Sequence, residues 1–308
     1  MVMSSYSYIT SLTSKKNLPI AMAALEGGEE FGLLLGTLIS GPFIDRFGLS
    51  TLAYLNTGLS TIPLFIILTT TTEIYDESKT NNTWRDAIGV KHLTAAVRCV
   101  FKKRQNYNRL LINLCYVSVY AVSIAGAGYT TLSFLYFVKE VGMTLTELSV
   151  FSGYLLAVKG LGGPIILAFV KCIKANKTDM TVLSCAGVTF AYIIMSVDAI
   201  PHSLWFGGTL FAFQSVVYAL IRTFQVSLVD ENEVGKIFAY DGVFQVFFSL
   251  STVMFFKELY SLTVVVWPGF FLSFSAFLCL VSMCVAAGIV KLSFYNNADS
   301  IDLQALTC

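Results

Sequence analysis

Residues 19–47 read PIAMAALEGGEEFGLLLGTLISGPFIDRF, an apolar stretch long enough to cross a lipid bilayer as a helix. The same stretch carries three acidic residues, Glu26, Glu29 and Glu30. A carboxylate at the centre of a membrane helix costs roughly 2.5–3.5 kcal/mol on insertion, so it is retained where it faces a protein interior or a water-filled cavity. The stretch therefore predicts a helical membrane protein in which at least one of these acidic side chains has a function.

The composition of the whole chain indicates the same fold class, an all-α polytopic membrane protein. Of its 308 residues, 56% are hydrophobic and only 13% are charged, whereas soluble proteins carry about 25% charged residues. The apolar runs predict eight transmembrane helices, at residues 20–44, 51–72, 110–138, 148–170, 180–200, 204–229, 237–259 and 264–290. A net charge of +1 argues against a nucleic-acid partner and leaves the lipid bilayer as the expected environment.

These runs divide the chain into four parts. The parts are the first two spans (1–72), a cytosolic linker (73–108), the other six spans (109–292) and a cytosolic tail (293–308). In the linker, Leu93, Ala96 and Val100 recur at helical spacing beside Lys and Arg residues, which predicts a basic amphipathic helix on the cytosolic membrane surface. A regulatory, calmodulin-type helix is the alternative. Lys and Arg are concentrated in alternate connecting segments, which places both termini in the cytosol.

Glu26 and Glu30 are the candidate proton-coupling residues. They are four residues apart, so they share one face of a helix. Crowded carboxylates in a low-dielectric environment can hold a proton near neutral pH, as a proton relay requires. The alternative is that Glu29 and Glu30 lie at a water-filled mouth and that only Glu26, or none of the three, is functional.

Lys159 is a candidate substrate-binding residue because it lies near the middle of a predicted span. Each end of that span is about 16 Å away at 1.5 Å of rise per residue, which is too far for the side chain to reach the membrane surface. The run GLGGP follows at residues 160–164 and predicts a weakened or broken helix, a frequent location of transport sites. The alternative is a structural kink in which Lys159 pairs with a glutamate.

Arg222 and Tyr129 complete the candidate substrate site. An arginine inside a span can bind a carboxylate through two hydrogen bonds, so Arg222 is suited to an anionic substrate or to a gate that closes on a glutamate. Its alternative role is to anchor the following loop through Asp230 or Glu233. Tyr129 is one of several aromatic residues able to line a cavity, and packing is its alternative role.

The sequence predicts neither an enzyme nor a cofactor or metal site. It contains two histidines, neither of which lies near other metal-ligating residues in sequence, and seven cysteines without a CxxC pair. No Ser or Cys nucleophile has a partner at a spacing that catalysis uses.

Three segments resemble one known family. These are SYITSLTSKKNLPIAMAALEGG (7–28), LIRTFQVSLVDENEVGKIFAYDGVFQ (220–245) and ELYSLTVVVWPGFF (258–271). They are similar to the fifth helix and the tenth to twelfth helices of the proton-coupled folate transporter and thymic stromal cotransporter family, within the major facilitator superfamily. The resemblance implies a major facilitator fold. Because that family has twelve spans, we expect this chain to lack the counterparts of its first four helices.

By this resemblance, Glu26 corresponds to a fifth-helix glutamate implicated in proton coupling, and Arg222 to a tenth-helix arginine implicated in substrate and proton handling. The seventh-helix histidine of the folate member has no counterpart at residues 122–129, so folate is not implied. The expected protein is a secondary transporter that moves a small organic anion or conjugate, with protons as the coupling ion. Its expected location is the plasma membrane or an endosomal or lysosomal membrane. The alternative is a truncated, non-transporting membrane protein that regulates or assembles with a longer relative.

Overall fold

The computed structural model describes residues 2–14, 17–70, 90–104, 107–172, 176–197 and 201–305, and all regular structure in these ranges is helical. The helices are α1 (Val2–Leu12), α2 (Leu18–Thr70), α3 (Val90–Phe101), α4 (Asn108–Leu135), α5 (Leu145–Cys172), α6 (Lys177–Val197), α7 (Pro201–Leu210), α8 (Ala212–Ser227), α9 (Val234–Thr263) and α10 (Phe270–Ala305). The first part of the predicted linker, residues 73–89, lies outside the described residues. The predicted tail continues α10 as far as Ala305.

Six helical segments in the described ranges are long and apolar enough to cross a membrane. They are Asn108–Glu140, Glu147–Cys172, Asp179–Val197, Ser203–Ser227, Val234–Thr263 and Phe270–Ser293. Each overlaps one of the six spans predicted between residues 109 and 292, so these six predictions are confirmed. The first predicted span and residues 51–70 of the second fall within α2, which is not among the six segments. The count of eight therefore stays a prediction.

The long helix α2 is interrupted once, at Gly48. This glycine has φ 79° and ψ 164°, a conformation that residues with a side chain rarely adopt. It lies between the two spans predicted at residues 20–44 and 51–72. The interruption therefore separates two helical segments at the point where the sequence predicts a turn between spans.

The start of α5 shows how the local sequence determines a helix boundary. Gly142 has φ 76°, which ends the preceding π-helical turn, Tyr136–Glu140. The Thr144 backbone N–H donates to the Glu147 carboxylate at 2.8 Å, and the Glu147 N–H donates to Thr144 Oγ1 at 3.2 Å. This reciprocal pair is a capping box, and it satisfies backbone donors that the first turn of a helix leaves unpaired.

The glycine run after Lys159 does not break α5, contrary to the sequence prediction. The helix continues through Pro164, and the glycines bring its neighbours close. A Cβ atom at Gly160 would lie 3.2 Å from the Gly27 carbonyl oxygen of α2, and one at Gly162 would lie 2.5 Å from the Ala212 Cβ of α8. Small residues at contacts between membrane helices allow such close approach. The run therefore places α5 against both α2 and α8.

The linker helix α3 packs part of its apolar face against the bundle, and its predicted location at the cytosolic membrane surface stays a prediction. Ala96, Cys99 and Val100 are buried and pack with residues of α4 and α9, including Tyr116 and Ile237. The sequence showed an apolar face but could not show that the protein itself covers that face. After α3, Lys102 and Arg104 form ion pairs with Glu233 at 2.8 and 2.7 Å, which fixes the end of the helix to the turn before α9.

Candidate functional site

A cavity of about 200 Å³ lies among α2, α4, α5, α8 and α9. Its wall contains three ionisable side chains, Glu26, Glu30 and Lys159. The other lining residues are mainly small or polar: Ser123, Gly126, Ala127, Thr130, Gln214, Ser215, Tyr218 and Gln245. A second cavity of about 260 Å³ has a mainly apolar wall without a charged residue. The polar cavity is therefore the candidate site for a charged substrate.

The close contact of α2 with α5 brings the predicted ionisable residues together. Gly27 of α2 lies against Gly160 of α5, and the neighbouring positions Glu26, Glu30 and Lys159 all reach the cavity. The Lys159 Nζ lies 5.2 Å from the centre of the Phe211 ring, within the range of a cation–π contact. Among the described residues, Lys159 has no carboxylate within 4.0 Å. The ammonium group is thus able to pair with an anionic ligand.

Arg222 lies beside this cavity in a buried charge cluster. It forms ion pairs with Glu26 and with Asp241, the latter at 3.7 Å from Nη2 to Oδ2. Its guanidinium carbon lies 4.1 Å from the centre of the Tyr6 ring and 5.6 Å from that of Tyr218. The Tyr6 hydroxyl donates a hydrogen bond to Glu26. With 3% of its surface exposed, Arg222 is removed from water, so its two carboxylate partners are needed to offset the cost of burying the charge.

Glu26 belongs to both the cavity and the charge cluster. Its carboxylate pairs with Arg222 and accepts a hydrogen bond from Tyr6, while the residue also forms part of the cavity wall. A change in the protonation of Glu26 would therefore alter the charge that the cavity presents and the partners of Arg222 together.

Helix α8 contributes a polar face to the site. Gln214, Tyr218 and Arg222 follow one another at intervals of four residues, so they lie on one side of the helix. The Tyr218 hydroxyl donates to Ser123 Oγ on α4 at 3.3 Å. Gln214 and Tyr218 line the cavity, and Arg222 lies one helical turn beyond Tyr218.

The structure places the predicted site residues in three different environments. Glu26, Glu30 and Lys159 line one cavity, whereas Arg222 contacts that cavity through Glu26 and is not among its lining residues. Tyr129 is buried in an aromatic cluster with Phe211, at 5.5 Å between ring centres, and does not line the cavity. The alternative pairing of Arg222 with Asp230 or Glu233 is not observed, because Glu233 pairs with Lys102 and Arg104.

Sequence reasoning missed three contributors to the site. Asp241 lies near the start of α9, where a carboxylate favours the helix N-terminus, but it is buried against Arg222. Tyr6 could not be singled out from the sequence, since a tyrosine in a polar N-terminal segment can have many roles. Gln214 could have been found from its four-residue spacing to Tyr218 and Arg222 within an apolar span. In the described part of the chain, no three His, Cys, Asp or Glu residues group as a metal site would require.

Comparison with known proteins assigns this arrangement of membrane helices to a class. The family model described as Major Facilitator Superfamily matches residues 1–256. The chain therefore belongs to the major facilitator superfamily, whose members are multi-pass membrane transport proteins. This membership confirms the prediction that the protein is not an enzyme.

A particular relative is found in Drosophila melanogaster. The chain is 25% identical over 281 residues to a protein named "Probable peptidoglycan muropeptide transporter SLC46", and the match covers 88% of this chain and 53% of that protein. The chain thus spans about half the length of this relative.

Proposed function

We propose that the chain acts in secondary transport of a small organic anion or conjugate across a membrane, with protons as the coupling ion. The observation that carries this proposal is Lys159, a lysine in the wall of a polar cavity with no described carboxylate within 4.0 Å. An ammonium group in such a place is costly without a partner, and an anionic substrate supplies one. Lys159 is therefore the first residue that the substrate anion contacts.

The balance of charges around the cavity supports proton coupling. Two cations, Lys159 and Arg222, face three carboxylates, those of Glu26, Glu30 and Asp241, so the site carries a net charge of −1 when all five are ionised. An anionic substrate adds further negative charge to this site. Uptake of a proton by Glu26 or Glu30 removes that excess, so the proton and the anion favour each other's binding.

We assign Arg222 a role that follows the protonation of Glu26. In the structure its guanidinium is occupied by Glu26 and Asp241. Protonation of Glu26 weakens one of these pairs and leaves a guanidinium group next to the cavity, able to attract the substrate anion or to change partners as the helices move. Tyr129 lies outside the cavity wall, so we assign it to packing that supports the substrate site.

The relative's name suggests a test substrate. A muropeptide carries peptide carboxylates, amides and sugar hydroxyls, and the cavity wall combines a lysine with amide and hydroxyl side chains. We therefore propose a muropeptide as the anionic conjugate. From the placement of Lys and Arg we further propose that both termini are cytosolic and that the protein resides in the plasma membrane or in an endosomal or lysosomal membrane. The specific likeness to the proton-coupled folate and thymic stromal transporters belongs to the same proposal.

Uptake into proteoliposomes tests this function. The purified chain is reconstituted, a pH gradient is imposed in either direction, and entry of a radiolabelled muropeptide is followed. We expect uptake that depends on the gradient and is lost in Lys159→Met, with Lys171→Met on the same helix as a matched control, since Lys171 bonds to Asn17 away from the cavity. Absence of uptake with retained binding would support the alternative of a non-transporting membrane protein.

A further inference from the structure

Gln214 carries an unused hydrogen-bond acceptor at the cavity wall. The residue is 6% exposed and belongs to the lining of the polar cavity. Its Oε1 atom is buried and has no hydrogen-bond partner among the described residues. Buried polar side chains in proteins are usually paired, and leaving one unpaired costs about 1–3 kcal/mol. An acceptor retained without a partner in a substrate cavity therefore calls for an explanation.

The opposite wall gives the Gln214 amide room. Gly126 of α4 faces it, and a Cβ atom at Gly126 would lie 2.9 Å from the Gln214 Nε2. The last torsion of a glutamine side chain is broad, so when a ligand donor arrives the amide can turn its oxygen toward the cavity in exchange for its hydrogen bond to Tyr218. The absence of a side chain at Gly126 preserves this freedom.

The neighbouring groups narrow the kind of donor that fits. Tyr218, one turn along α8, has its hydroxyl engaged with Ser123. Lys159 is a donor without an acceptor role, and it attracts the anionic end of a ligand. The carbonyl oxygen of Gln214 accepts but cannot donate. A matching ligand thus carries a carboxylate and, elsewhere, an uncharged N–H or O–H group.

We propose that Gln214 is a specificity-determining residue that accepts a hydrogen bond from an amide N–H or a hydroxyl of the substrate while Lys159 binds the substrate carboxylate. This inference rests on the proposed function of the same cavity and narrows its substrate to acylated amino acids, peptides or hydroxylated acids. A site that binds a substrate N–H or O–H rejects the analogue that lacks it, because the protein's own acceptor is then left unpaired.

Two small probes isolate this hydrogen bond. N-acetyl-D-alanine and O-acetyl-D-lactate have the same shape and the same carboxylate, and they differ in having an N–H or an ester oxygen. Binding of each to the purified chain in detergent is measured by saturation-transfer NMR and competition. We expect the wild type to prefer the amide by about tenfold or more, as one lost hydrogen bond to a buried acceptor implies.

Variants assign the preference to Gln214. In Gln214→Leu the two probes should bind equally, and in Gly126→Ala the preference should fall because the added methyl group restricts the amide. Thermal unfolding without ligand provides a readout that does not depend on any substrate. Because Gln214→Leu removes the hydrogen bond to Tyr218 together with an unpaired buried acceptor, the melting temperature should change little.

The outcomes are distinct from those of the transport experiment. Equal binding of the two probes to the wild type, binding of neither, or a preference that survives in Gln214→Leu would overturn the role of Gln214. A large fall in melting temperature of Gln214→Leu would overturn it as well and identify a structural glutamine. Binding in detergent needs no gradient, so selective binding without uptake would reject the transport proposal and retain the specificity of Gln214.

Discussion

Arg222 and Lys159 are both basic residues within the membrane bundle, and their surroundings differ. Arg222 is enclosed by two carboxylates and two tyrosine rings, whereas Lys159 contacts the Phe211 ring and has no carboxylate within 4.0 Å among the described residues. The first cation is stabilised by the protein itself. The second lies in the wall of a cavity. The difference teaches that a buried cation paired with carboxylates supports structure and coupling. A cation without a carboxylate within ion-pairing distance is available to an anionic ligand.

The largest expected effect comes from removing the cation that has partners. Arg222→Met leaves Glu26 and Asp241 as uncompensated buried carboxylates, and breaking a buried pair from one side costs about 3–5 kcal/mol. We expect a comparable loss in the free energy of unfolding, measured by chemical denaturation in detergent. The triple variant with Glu26→Gln and Asp241→Asn should recover much of the loss. An Arg222→Met variant as stable as the wild type would show that the cluster does not stabilise the bundle.

The opposite result is expected for Lys159, which has no described carboxylate within 4.0 Å. Lys159→Met should leave the free energy of unfolding unchanged or higher, because it removes a charge for which no described residue supplies an ion pair. Binding of N-acetyl-D-alanine should fall by about tenfold or more, since a charge-assisted hydrogen bond to its carboxylate is lost. Isothermal titration measures this, with Lys171→Met as the control. Retained affinity would remove Lys159 from the substrate site.

Glu26 connects the surroundings of Arg222 with the cavity that contains Lys159, because it pairs with Arg222 and lines that cavity. In the wild type, binding of an anion should strengthen as the pH falls, because a bound proton removes the excess negative charge of the site. Glu26→Gln is neutral at every pH, so its anion affinity should depend less on pH. Glu29→Gln is the matched control, since Glu29 is on the same helix but does not line the cavity. An unchanged pH profile in Glu26→Gln would place the proton elsewhere.

The smallest effect is expected at the two ion pairs that join the linker to the turn before α9. Hydrogen bonding to Lys102, together with Arg104, lowers the pKa of Glu233 from its ordinary value of 4.5. Stability gained this way is fully present above pH 4.5 and is lost as the pH falls through the lowered pKa. Only Lys102 of these three side chains is well exposed. Glu233→Gln should therefore reduce the melting temperature at pH 7 by about 2–4 °C, or roughly 1 kcal/mol. The difference from wild type should shrink toward pH 3.5, and a constant difference would contradict this account.

The glycine run after Lys159 shows where sequence reasoning stopped. Residues 160–164 correctly drew attention to a special position, but weak helix propensity suggested a break. In the membrane bundle, every backbone group gains from an intact helix, and the same glycines serve to bring α5 against α2 and α8. Propensity describes an isolated helix, whereas the outcome depended on which neighbours were available.

The sequence by itself determined the class of molecule and the ionisable residues to consider. A chain so poor in charge must form membrane helices, and Glu26, Glu30, Lys159 and Arg222 were conspicuous because charges inside apolar spans are costly. Only the tertiary structure decided that Arg222 pairs with Glu26 and Asp241, that Tyr129 packs in the core, and that the Gln214 amide places its nitrogen beside Gly126 and leaves its oxygen unpaired. The cost of inserting a charged residue into a membrane depends on that residue and the apolar span around it, so it can be judged from the sequence. The ion-pair and hydrogen-bond partners of the residue come from distant helices and depend on how those helices pack.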